Sequence, residues 1–243
     1  MNVLSLYDKS GIALMPWAEA GFNCYAYDIQ HSQCITKNYG KGSITFTFAD
    51  LYDFSTLKNI INTHKNKTVF LSAFPPCTDL AVSGAAWFKS KAEKDPNFQQ
   101  KAADHAIACS WVAEQLNVSY YIENPVSVLS TLWRKPDYSF HPYEYGGYLP
   151  INDIHPEYPE YIVPRDAYPK KTCLWTDNGF VMPYKLPVSK DSQYSKQHLK
   201  LGGKSERTKN IRSQTPRGFS IAVFKANSAI INSVKTYKQI VSI

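Results

Sequence analysis

Short apolar or β-branched runs punctuate this chain, each closed by polar residues, glycine or proline: Val3 to Leu6, Cys24 to Tyr27, Thr45 to Phe48, Val69 to Ala73 and Ser119 to Ile122. Runs this short and this continuous predict strands buried on both faces. Between them the period changes. Ile12 to Ala20 reads as a helix stopped by Gly21, and Asn97 to Leu116 reads as a longer one, with Ala102, Ala106, Cys109, Ala113 and Leu116 on one face. His105 falls on that helix's surface, with no partner at catalytic spacing. Alternating strands and helices predict an α/β fold with a parallel sheet. The opening has a Rossmann-like order of strand, tight loop, helix, strand and acid, and it places Asp28 to accept hydrogen bonds from ribose hydroxyls. The same order also fits a βαβ unit that binds nothing.

Beyond Pro125 the periodicity weakens. Asp137 to Pro164 is dense in Tyr, Pro and His and contains Gly146-Gly147; long irregular segments of this kind are uncommon unless they serve a function. Pro169 to Trp175 then reads as a strand with alternating faces. Lys185 to Arg217 is basic and rich in Ser and Gln, and its Lys204, Arg207, Lys209, Arg212 and Arg217 suit phosphate contacts or a solvated loop. Gly218 to Val234 reads as a closing helix with Ile221, Val223, Phe224, Ile230 and Ile231 available to the core.

Two strand ends carry the chemistry. Val69 to Ala73 runs into Pro75-Pro76-Cys77, and prolines that cannot continue a ladder leave Cys77 on a rigid loop at the strand's carboxyl end. The second run ends in Glu123-Asn124-Pro125 in the same way. A thiol and a carboxylic acid at one sheet edge are what nucleophilic addition with proton transfer needs. A small-residue loop follows the cysteine, Ala81 to Ser90, as expected of a segment that moves over a substrate, while its Trp87 and Phe88 equally suit anchoring it on the core.

Composition narrows the class. The chain has 243 residues, 44% of them hydrophobic, enough for one sizeable core. A formal charge of +7 favours a polyanionic partner. The five cysteines, Cys24, Cys34, Cys77, Cys109 and Cys173, form no CxxC pair and no Cys/His ligand spacing, so no metal site or disulfide framework is expected. Without a basic, apolar leader or a run of membrane-spanning length, a cytoplasmic protein with no membrane partner is expected.

Taken together, Val3 to Gly11, Pro76-Cys77-Thr78-Asp79-Leu80, Glu123-Asn124-Pro125, Thr215-Pro216-Arg217 and Ala226-Asn227-Ser228 occur in an order that resembles the DNA cytosine-5 methyltransferases. The resemblance spans almost the whole chain. It implies a Rossmann-like S-adenosylmethionine-dependent methyltransferase sheet with a small, irregular target-recognition insertion. The catalytic domain would be 1–135 with 218–243, and the DNA-contact region 136–217. It implies catalysis by Cys77, Glu123, Asn124 and Pro76, and cofactor binding by Tyr7, Asp8, Lys9, Gly11, Asp28, Ile29, Asp50, Leu51, Asn227 and Ser228. DNA contacts would come from Ser83, Trp87, Lys170, Lys171, Thr172, Arg207, Arg212 and Arg217. The partner would be cytosine-containing DNA bound by a monomer, in a bacterial cytoplasm or, for a phage-encoded enzyme, that of the host.

Two departures from the family's pattern stand out. Lys9 occupies a position where the family has glycine, which matches either a solvent-facing lysine or recognition of a carboxylated S-adenosylmethionine and transfer of a group larger than methyl. Thr172 stands where the family has arginine. The rival readings are the same chemistry on a free cytidine nucleotide or RNA, a non-catalytic DNA-binding relative, and a dinucleotide oxidoreductase, which the glycine-poor first loop fits badly.

Overall fold

The computed structural model describes residues 1–202 and 205–228, and the expected helix positions Ile230, Ile231 and Val234, like Lys204, lie outside them. In chain order the elements are β1 (Asn2–Leu6), α1 (Met15–Glu19), β2 (Asn23–Asp28), β3 (Ile35–Tyr39), β4 (Gly42–Phe48), α2 (Phe54–His64) and β5 (Thr68–Ala73). Next come a 3-10 turn (Val82–Trp87), α3 (Phe88–Ala92), α4 (Phe98–Leu116), β6 (Ser119–Pro125), α5 (Leu129–Leu132) and β7 (Tyr138–Phe140). Past two further 3-10 turns, β8 (Thr172–Asp177), α6 (Lys196–Lys200) and α7 (Glu206–Arg212) precede a helix over 217–228.

The fold is α/β, as the sequence predicts. Eight strands form one mixed sheet in the order β3-β4-β2-β1-β5-β6-β8-β7. Strands β4, β2, β1, β5 and β6 run parallel, while β3 and β8 are antiparallel to β4 and β6. Strand order reverses between β1 and β5, the crevice where open sheets of this Rossmann-compatible type take ligands.

Side-chain alternation explains the layers. Leu4 and Leu6, Leu71 and Ala73, and Tyr120 and Ile122 share one face and pack under α2 (Leu57, Ile60, Ile61) and α4 (Ala103, Ala106, Val112, Ala113). On the other face Trp17 of α1 stacks on Phe70 with centroids 4.9 Å apart.

Some elements differ from expectation. Helix α1 begins at Met15 and not at Ile12, because Pro16 fits only a first turn and the backbone is still turning at Gly11 (φ +70°). An unforeseen hairpin joins β3 to β4 through Gly40, at φ +56°. Strand β8 does not alternate: Thr172, Cys173, Leu174 and Trp175 are all buried.

The chain divides into two compact units, Met1–Ser139 with Thr172–Phe180, and Phe140–Lys171 with the segment from Val181 onward. Residues 172–177 complete the sheet of the first unit, and the helix over 217–228 falls within the second. Among its described residues that second unit has little regular structure. Its aromatic centre stacks Phe140 on Phe219 at 4.0 Å, with Tyr145 edge-on at 5.1 Å from Phe219.

Candidate active site

The loops after β5 and β6 are tied together in the first unit. Phe74 N–H donates to Leu6 O at 3.0 Å, keeping β5 in the sheet up to the proline pair. Cys77 is half-buried, outside any disulfide, and its carbonyl closes a turn by accepting from Leu80 (3.0 Å) and Ala81 (2.9 Å). β6 lies alongside β5 with Ala73 opposite Ile122, so Glu123-Asn124-Pro125 emerge beside the cysteine's loop. Asn124, only 1% exposed, donates through Nδ2 to Pro75 O at 3.1 Å. A bridge between Ala81 and Ser127, flanked by Val82 N to Val126 O (3.2 Å) and Val128 N to Leu80 O (3.0 Å), completes the clamp. The structure thus brings Pro76, Cys77, Glu123 and Asn124 together at the carboxyl ends of two adjacent parallel strands. Buried Asn124 Oδ1 and Ser127 Oγ have no hydrogen-bond partner there, a debt that a bound ligand or water can satisfy.

The crevice beside this clamp is built by the loop after β1. Tyr7 has a left-handed backbone (φ 57°), which costs a non-glycine residue about 1–2 kcal/mol. Its hydroxyl donates to Leu51 O (3.2 Å) and lies 3.3 Å from His105 Nδ1, which holds the ring in place. Asp8 turns inward and is 3% exposed; it accepts from Ser5 Oγ (2.8 Å), Ser10 Oγ (3.1 Å) and Gly11 N (2.7 Å). Burial raises its pKa although these donors pull the other way. Ser5 in turn accepts from Ser72 Oγ at 3.0 Å, so Asp8 braces the loop from beneath. Gly11 is required twice over: its φ is positive, and a Cβ would meet the Phe46 ring at 2.8 Å.

Around the crevice stand the other expected cofactor residues. Asp28, at the end of β2, receives Gln30 N–H at 2.7 Å, and its pKa is raised by burial, with Lys9 and His31 opposing. Lys9 Nζ donates to Gln30 Oε1 at 3.0 Å, which puts its charge on the Asp28 side of the loop. Ile29 is exposed and Leu51 buried, at the ends of β2 and β4. Asp50 receives Tyr52 N–H at 3.0 Å. His105 is not a bare surface residue: its ring lies 3.9 Å from that of Tyr52 and it reaches Tyr7, while burial lowers its pKa. Those partners lie some fifty and a hundred positions away, beyond any local pattern.

Ser83 and Trp87 are exposed on the 3-10 turn after the clamp. Beyond that turn, Lys91 of α3 forms an ion pair back to Asp79, which spacing alone did not suggest. Thr172 is buried in β8, where it offers no exposed surface to a base.

In the second unit the expected phosphate and cofactor residues are largely engaged. Arg217 grips Asp153 with two bonds, 2.8 and 2.6 Å. Burial alone would raise the Asp153 pKa, but Arg217 and the Arg165 N–H overcome it and hold it low. Arg217 thereby ties the start of the 217–228 helix to the Asp153 loop. Lys170 Nζ donates to Arg212 O (3.2 Å), Arg207 lies over the Tyr161 ring, and Lys171 and Arg212 are exposed. Asn227 spends its amide on backbone, donating to Val181 O (3.0 Å) and Val223 O (2.9 Å) and accepting from Val181 N (2.9 Å). Ser228 is buried next to it in sequence.

Among the described residues, no group of His, Cys, Asp or Glu could hold a metal ion, and no helix is long and apolar enough to cross a membrane. Neither a protein-family model nor a curated protein sequence matches the chain.

Proposed function

We propose that this protein transfers a methyl group from S-adenosylmethionine to carbon 5 of cytosine in nucleic acid, through a covalent Cys77 adduct. The observation that carries the reading is the clamp that holds the Pro76-Cys77 loop against Glu123-Asn124 through the Asn124–Pro75 bond, at the strand ends beside the sheet's reversal point. The acids suit the donor: Asp28 and Asp50 suit a ribose and a purine amino group, and carboxylates favour a sulfonium over the phosphates of a dinucleotide. When bound, S-adenosylmethionine supplies an electrophilic methyl group.

The chain's residues do the rest. The Cys77 thiolate adds to carbon 6 of the ring, which makes carbon 5 nucleophilic. Glu123 donates a hydrogen bond to ring nitrogen 3 and stabilises the developing charge. Asn124 holds both loops at working distance. After transfer a base removes the carbon 5 proton, and the Cys77 sulfur leaves as carbon 5–carbon 6 unsaturation returns.

Nucleoside mass spectrometry of DNA, RNA and free cytidine nucleotide tests the reading, after incubation with the protein and either S-adenosylmethionine or its carboxylated form. One added methyl on deoxycytidine supports it, and a carboxymethyl adduct would redefine the donor and make Lys9 its recognition residue. No cytosine product from any combination refutes the reading.

A further inference from the structure

The chain's charge is unevenly divided. The second unit carries fifteen Lys and Arg against seven Asp and Glu, a formal +8, while the first carries twelve against thirteen, a formal −1. All of the net positive charge therefore belongs to the second unit.

Within that unit the segment from Tyr184 to Arg212 combines cations with exposed aromatic surface. Its first part is pinned as an extended strap: Tyr148 Oη donates to Tyr184 O (2.8 Å), Gly147 N to Leu186 O (2.8 Å), Val188 N to Tyr143 O (2.9 Å) and Asp191 N to Ala167 O (2.8 Å). With its backbone carbonyl held by Tyr148, Tyr184 is 79% exposed. Tyr194, 54% exposed, stacks on His198 with centroids 5.9 Å apart at the start of α6, which Ser195 caps. Lys190, Lys200, Lys209 and Arg212 are exposed along the same tract.

A duplex hides its base faces in its own stack, and phosphate contacts alone would need cations without aromatics. Anchored tyrosines among lysines match the other case, in which unpaired bases stack on rings while cations follow the backbone. We infer that the second unit binds a single-stranded polynucleotide along the exposed, described residues of 184–202 and 205–212, with Tyr184 and Tyr194 as stacking platforms. As a statement about substrate this rests on the nucleic-acid reading above, and it makes the unpaired strand the preferred form.

The test is fluorescence anisotropy with the full chain and a labelled twenty-base single strand of mixed sequence, against the same sequence as a duplex, across a salt series. The single strand is expected to bind about tenfold tighter or more, and Tyr184→Ala with Tyr194→Ala to cost about tenfold or more in that affinity. The Phe versions keep it, because the ring face is what stacks. Duplex affinity is expected to stay within about twofold in the tyrosine variants, and Lys190→Gln with Lys200→Gln to flatten the salt dependence of single-strand binding. Equal or tighter duplex binding, alanine variants that bind the single strand as wild type does, or no binding of either form overturns the inference. S-adenosylhomocysteine titrated into the same samples separates the two conclusions: its binding without single-strand binding defeats only this inference, and the converse defeats only the methyl-transfer reading.

Discussion

Acid should loosen this protein through a buried histidine remote from the proposed chemistry. His64 ends α2 with 2% of its surface exposed; its Nδ1 lies 3.1 Å from Asn2 Nδ2, its Nε2 lies 2.7 Å from Tyr27 Oη, and its ring centroid lies 4.5 Å from that of Tyr25. With the Asn2 amide donating to Nδ1, the neutral ring carries its hydrogen on Nε2 and gives it to Tyr27. A second proton would set Nδ1–H against the amide hydrogens. Burial, assisted by the Lys67 charge, pushes the pKa from 6.5 down to about 4. Between those values the unfolded chain holds a proton that the folded chain refuses. The His64 contribution is therefore complete above pH 6.5, falls as the pH drops, and levels off below about 4. Its ceiling is about 3 kcal/mol, and about 2 kcal/mol should be gone at pH 5. Urea unfolding of wild type and His64→Gln from pH 8 to pH 4.5, followed by circular dichroism, isolates the effect. His155 and the carboxylates titrate alike in both proteins, so the difference between the two curves belongs to His64. His64→Gln should start less stable and lose about 2 kcal/mol less on going to pH 5; parallel curves would refute the reasoning.

Three further perturbations address the site and its scaffold. Cys77→Ser should abolish cytosine modification and leave S-adenosylhomocysteine affinity within about twofold by calorimetry, as expected when only the attacking atom is changed; retained turnover would remove the nucleophile. Asn124→Ala strands the Pro75 carbonyl and should cost about 1–3 kcal/mol in urea unfolding, with turnover falling further than stability explains. Arg217→Met leaves Asp153 buried without its partner and should cost about 3–5 kcal/mol, whereas a phosphate-contacting Arg217 would lose nucleic-acid affinity at unchanged stability.

The sheet was legible wherever burial is two-sided. β1, β2, β5 and β6 are interior strands, so their runs are apolar or aromatic almost throughout, and the alanine face of α4 follows from its tight packing on them. β3 was invisible for the opposite reason. Its residues Ile35–Tyr39 lie at a sheet edge and are almost all exposed, so no pattern marks them. At the site, proline-stopped strand ends could be read directly, because a strand cannot continue through proline. The supporting contacts could not: Tyr7 with His105, Arg217 with Asp153 and Asn227 with Val181 each join distant segments.

The division of charge matches a conflict within the proposed reaction. A pocket for a sulfonium gains from carboxylates, and the first unit has Asp8, Asp28 and Asp50 at the ends of β1, β2 and β4. The same carboxylates repel a phosphate backbone, and the exposed lysines needed to offset them would weaken the hold on the cation. The excess of cations falls in the second unit, and the carboxylates Asp8, Asp28 and Asp50 fall in the first. Nucleic-acid affinity should accordingly fall steeply with salt while cofactor affinity changes little. Similar slopes for the two ligands would show that the cations and carboxylates act on one shared site.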